Sequence, residues 1–187
     1  MKKLFFALLT AFASISLANA QVKVEEPEFA DQILLLISDS EGVLLSRENA
    51  TVKTKAGASL YLVGIGKVKS RLTVYGKTSP SKAKGGSTTR LIVKAKDNVT
   101  DPNSFINILK FEVHGKERRY QLAESGTLSK TEQNSLSNVE YNAKKYGNSS
   151  YYIVMNDLAP GEYGIIIGDP NSQNEKNSFK VSTFTVE

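Results

Sequence analysis

The chain has no cysteine and a single histidine. Without thiols there is no disulfide and no lipid-anchor cysteine, so no lipoprotein is expected and core burial alone must hold the fold together. A transition-metal site would have to be built almost wholly from carboxylates, which is poor zinc chemistry. After residue 20 there is no apolar run long enough to cross a bilayer as a helix. Between Glu48 and Asp97 there is no carboxylate at all.

What is present begins with an export signal. Lys2 and Lys3 precede an apolar run from Leu4 to Leu17, and Ala18-Asn19-Ala20 supplies the small-x-small pattern for cleavage. Residues 1–20 read as a signal peptide and residues 21–187 as one exported domain, periplasmic or extracellular. Losing Lys2 and Lys3 from 24 Lys+Arg leaves 22 against 19 Asp+Glu, a net of +3. The acid-free interval holds Lys53, Lys55, Lys67, Lys69, Arg71, Lys77, Lys82, Lys84, Arg90, Lys94 and Lys96.

The exported part reads as strands and turns. "ILLLI" (Ile33–Ile37) is a short apolar run that returns through Val43–Leu45 as a hairpin. From Leu60 to Val74 the even positions are apolar or small, while the odd positions pass from Tyr61, Val63 and Ile65 to Lys67, Lys69 and Arg71. Alternate residues of a strand share a face, so a cationic face opposes an apolar one. "VGIGKVKSR" within it is no phosphate-binding loop: Tyr61 and Val68 occupy the glycine and hydroxyl positions, and no helix follows. Leu91, Val93 and Ala95 oppose Lys94 and Lys96; Leu109 and Phe111 oppose Lys110 and Glu112. "HGKE" makes a hairpin tip. "SPSKAKGGSTT" (Ser79–Thr89) reads as a mobile loop, Glu124–Asn138 as a polar connection, and Phe179–Val186 as a strand with a bulge near Thr183. "DNVTDPNS" is the place where a division into two lobes would fall, near residues 97–104.

These patterns predict an all-β protein, an antiparallel β-sandwich of about ten strands. "LAPGEYGIIIG" (Leu158–Gly168) resembles the Leu-x-Pro-Gly…Tyr lead into a late strand of immunoglobulin-like and fibronectin-like sandwiches, with one residue fewer before the tyrosine. With "KTKAGASLYLVGIGKVKSRLTVYG" it also resembles small secreted proteins of Gram-negative bacteria that form families of unknown function. The resemblance implies a secreted sandwich, immunoglobulin-like or jelly-roll-like, and transfers no catalytic residue.

No catalytic residue, cofactor or metal site is expected. His114 falls beside a hairpin glycine on the polar side of its strand. Ser79-x-x-Lys82 and Ser81-x-x-Lys84 match a penicillin-interacting motif in spacing but sit in a loop, where that motif needs a helix start. The remaining feature is cationic. Lys53, Lys55, Lys67, Lys69, Arg71, Lys94 and Lys96 form the expected anion-binding surface if their strands are neighbours. The expected function is an exported, non-enzymatic binding or structural module of the bacterial envelope or secretome. Its expected partner is lipopolysaccharide, an acidic glycan or an envelope protein. Nucleic acid is disfavoured by export and by the lack of interleaved aromatics. The alternative is a carboxylate-dependent glycan hydrolase with two acids in a cleft.

Overall fold

The structure is a computed structural model and describes residues 22–56, 67–126, 129–133, 139–168 and 178–187. The expected leader and the glycines Gly64 and Gly66 lie outside the described residues. The described strands are β1 (Ile33–Leu36), β2 (Gly42–Leu44), β3 (Ser46–Ala56), β4 (Lys67–Tyr75), β5 (Lys82–Ala83), β6 (Thr89–Lys94), β7 (Ile106–His114), β8 (Glu117–Gly126), β9 (Ser129–Gln133), β10 (Asn142–Tyr146), β11 (Ser150–Met155), β12 (Gly161–Ile167) and β13 (Ser178–Val186). Among the described residues there is no α-helix, and none that could cross a membrane.

Five strands form one antiparallel sheet in the order β10-β11-β6-β1-β2. Alternation sets its two faces. Ile33, Leu35, Leu91, Val93, Tyr151, Ile153 and Met155 point into the principal core. Leu36, Ile92 and Tyr152 point the other way, where Val22 and Val24 cover them. The Tyr146 hydroxyl donates to the Val24 carbonyl and holds that covering segment in place.

The second sheet does not stay open. It runs β12-β7-β8-β4-β3-β13, and β12 also pairs with β13, so six strands close into a barrel. This differs from the expected sandwich of two open sheets. The barrel interior holds Ala50, Leu72, Val74, Leu109, Phe111, Tyr120, Leu122, Ile166 and Val181. Its outer side, through Ile106, Ile108, Tyr163, Ile165, Phe184 and Val186, packs against the five-stranded sheet. Strands from before and after residues 97–104 pair with one another in both sheets, as β6 with β11 and β3 with β13.

The strand β13 is buried on both faces. Val181, Thr183 and Thr185 fill the barrel while Ser182, Phe184 and Val186 face outward into buried surroundings. The phase change near Thr183 therefore reflects double burial, and the register of β13 against β3 and β12 runs without a shift. Among the described residues the register shifts lie elsewhere, where β4 pairs with β8 at Ser70 and Arg71 and where β8 pairs with β9 between Glu124 and Gly126.

One end of the barrel interior is polar. Arg118 of β8 is fully buried. Its Nη2 donates to both oxygens of Glu48 at 2.8 Å and to the Tyr75 carbonyl at 3.2 Å. Its Nε donates to the Gly76 carbonyl at 3.1 Å, and its Nη1 to the Ser79 hydroxyl at 2.5 Å. Glu162 of β12 lies 3.6 Å from Nη1 and accepts from the Ser79 N–H and hydroxyl and from Thr185. Thr183 donates to Glu48. The segment from Ser79 to Thr89 is thus not free along its length: Ser79 is buried in this network, and β5 pairs parallel with β13. Composition pointed to a mobile loop because serine, lysine and glycine carry no record of a buried arginine that needs a hydroxyl acceptor. Part of Glu124–Asn138 likewise pairs, as β9 against β8.

Two substitutions test this packing. In β12, a Cβ on Gly164 would stand 2.4 Å from the Phe111 ring and 2.9 Å from Val181. Gly164→Ala should cost about 1–3 kcal/mol, seen as a lower denaturant midpoint at unchanged slope. Arg118→Met strands Glu48 and Glu162 without their counter-charge and should cost about 3–5 kcal/mol. Replacing Arg118, Glu48 and Glu162 together with apolar residues of similar size should recover most of that loss in the same denaturation assay.

Candidate functional site

The basic residues come together on one pair of strands and separate on another. Strands β3 and β4 are antiparallel neighbours, and their register sets Lys53 opposite Arg71 and Lys55 opposite Lys69. On the other flank of β4, Arg71 stands opposite Gln121 and Lys69 opposite Glu124. The side chains of Lys55, Lys67 and Lys69 lie outside those the structure describes. Leu72 and Val74 fill the barrel, so Arg71 falls on the opposite face of β4, where it is half-buried beside the buried Thr73 and the exposed Tyr75. Lys53 is about half exposed and donates to Glu117 at 2.6 Å; Glu117 also accepts from Arg119 at 3.0 Å. The Lys53 ammonium and then the Arg119 guanidinium hold the Glu117 carboxyl below its ordinary value.

Lys94 and Lys96 belong elsewhere. Lys94 closes β6 in the five-stranded sheet, and its ammonium lies 3.5 Å from Glu26. Lys96 lines a cavity between the layers, with Asp31 and Asp97. The seven expected residues therefore form a block on β3 and β4 and a separate pair.

Glu26 sits in a built carboxylate cradle. It accepts the N–H of Asn148 at 2.9 Å and of Ser149 at 3.0 Å. Gly147, at φ 53°, is the residue that makes this approach: a Cβ there would lie 2.3 Å from the Glu26 carboxyl carbon. Burial pushes the Glu26 carboxyl up, but Ser150, the two N–H groups and Lys94 outweigh it and hold the group at about 2.

The remaining sequence motifs are dispersed. His114 is exposed at the end of β7, beside the Gly115 turn. Ser79 donates to Glu162, whereas Lys82 pairs with Glu187, so the serine and lysine of that motif engage different partners. The acidic stretch "EEPEFAD" (Glu25–Asp31) is divided between the Glu26 cradle and the Asp31 cavity, and most of "GDPNSQNE" (Gly168–Glu175) lies outside the described residues. Among the described residues no three His, Cys, Asp or Glu side chains could hold a metal. The Tyr163 hydroxyl donates to the Ala159 carbonyl at 2.6 Å, four residues upstream at the start of β12.

No protein-family model matches this chain, and no curated protein matches it in sequence.

The Glu26 cradle generates a pH signature. Its carboxyl is lowered in the folded protein from an ordinary 4.5 to about 2. The stabilisation is therefore complete above about pH 4.5 and is lost as pH falls toward 2. Glu26→Gln should lower stability by about 2 kcal/mol at pH 7, and the gap to the parent should close near pH 2, read by denaturant melts across that range.

Proposed function

We propose that this chain is an exported, non-enzymatic binding module of the bacterial cell envelope or secretome, and that it takes an anionic polymer on the barrel surface formed by β3 and β4. The observation that carries the reading is the register of Lys53 against Arg71 and Lys55 against Lys69. Like charges directly opposite one another destabilise a sheet. A pair of unit charges about 5 Å apart in water costs roughly 0.8 kcal/mol before salt screening. A nearby carboxylate offsets part of this: Glu117 accepts from Lys53 and Arg119. A phosphorylated or carboxylated polymer such as lipopolysaccharide or an acidic glycan supplies the rest of the counter-charge. Lys94, already opposite Glu26, contributes less to such a surface.

The glycan-hydrolase alternative needs two acids that act as a pair. Asp31 and Asp97 share a cavity, but one oxygen of Asp97 already accepts the Val99 N–H at 3.0 Å and shapes its own turn. That commitment favours binding over acid–base work at this place.

The test is a titration of the protein with lipopolysaccharide and with an acidic polysaccharide from low to physiological salt. Binding should weaken steeply with salt. Lys53→Gln/Lys69→Gln/Arg71→Gln should bind roughly 10- to 100-fold more weakly, with a shallower salt dependence. Absence of binding at low salt, or equal binding by the triple variant, would reduce these cations to a solvated strand face.

A further inference from the structure

A cavity of about 310 Å³ opens where the ends of β1 and β6 meet the ends of β7 and β12. Its floor is apolar. Ala95 belongs to the principal core, and Phe105 and Ile167 are half-buried against it. Phe105 also packs edge-on against the Tyr151 ring at 5.8 Å. The floor thus combines rigid backing with exposed hydrocarbon. That is the character of a small-molecule site, and the volume is at the low end of the range for one.

Its rim is charged and mainly acidic. Asp31, Lys96 and Asp97 line it, and Asp101 follows in the same turn cluster. Lys94, the next cation along the chain, is turned to Glu26 instead. The acidic field reaches the neighbouring phenols. Burial first, then Asp97 and Asp101, push the Tyr151 hydroxyl up, and burial with Asp101 pushes Tyr141 up to about 12. This is an acidic mouth on a protein whose formal net charge is +5.

Asp31 is exposed at the rim, two residues before β1 begins. It adopts φ 64°, a left-handed turn conformation that aspartate enters more readily than most residues, and its N–H is anchored to the Lys94 carbonyl at 2.9 Å. Among the described residues no hydrogen bond or ion pair ties its carboxylate. Its carboxylate therefore faces the cavity mouth with its charge uncompensated by the protein.

We propose that this cavity binds a small organic cation with an apolar body. The hydrocarbon part packs on Phe105 and Ile167, and the ammonium sits at the rim among Asp31 and Asp97. This site is independent of the cationic block on β3 and β4 and selects the opposite charge.

The test uses dansylcadaverine, which joins an apolar fluorophore to a primary ammonium, and a counterpart of equal length that ends in a carboxylate. The ammonium probe should saturate at one site per chain and bind about tenfold more tightly than the carboxylate probe at low salt. Asp31→Asn/Asp97→Asn keeps the side-chain shapes and should erase that preference. Thr100→Trp adds bulk at an exposed rim position and should weaken the ammonium probe at least about tenfold while leaving the thermal melt unchanged. The proposal fails if neither probe saturates, if the carboxylate probe binds as well, or if both variants bind like the parent.

Discussion

Arg118 is a buried cation inside a β-barrel, and the closure of that barrel turns on how it is satisfied. Burying a guanidinium is costly unless every nitrogen finds an acceptor and the charge finds a counter-charge. Here Glu48 comes from β3, Glu162 from β12, and three further acceptors come from the last residue of β4 and the turn that follows it. The two threonines of β13 complete the carboxylates. Each group is satisfied only if β3, β8, β12 and β13 are all in place. The polar cluster therefore specifies one closed arrangement more than it adds net stability.

That arrangement positions both surfaces with functional promise. Closing the barrel brings β3 beside β4 in a register that stacks cations across from cations. It also sets the ends of β7 and β12 against the five-stranded sheet, which leaves the acidic-mouthed cavity at their junction. The cationic surface is held by strands whose other faces fill a core, so its backbone is as fixed as the packing behind it. The cavity is lined mainly by the segments that join strands, with Ile167 as its strand residue.

Much of the secondary structure was legible because burial on one face leaves a period of two. The runs around Leu91, Leu109 and Tyr151 and the hairpin at Gly115 show it plainly. The barrel closure was not legible. Its signal is Glu48, Arg118 and Glu162, which occupy inward positions where the pattern expects apolar residues, and their partners lie 70 and 83 residues away in the chain. A lone polar residue in a strand reads as a solvent-facing one. Strand β13 misled for the related reason that Thr183 and Thr185 are buried alongside Phe184. The cationic block was half legible: alternate lysines identified a face, but only the register showed that β3 and β4 share it while β6 does not. The acidic cavity had no sequence signal, since Asp31 and Asp97, 66 positions apart, reach one rim only through the pairing of β1 with β6.

The pairing of β13 with β3 and β12 also governs the order in which the protein can fold. Thr183 and Glu48, bonded to one another inside the barrel, are separated by 135 positions. A ribosome delivers β3 long before β13 exists, and until then β3 has an open edge and a carboxylate without its hydroxyl donor. Contacts of such separation are made late and slowly, after the loop-closure entropy has been overcome. The chain consequently remains unfinished through most of its synthesis, with the final strand acting as the stave that shuts the cask.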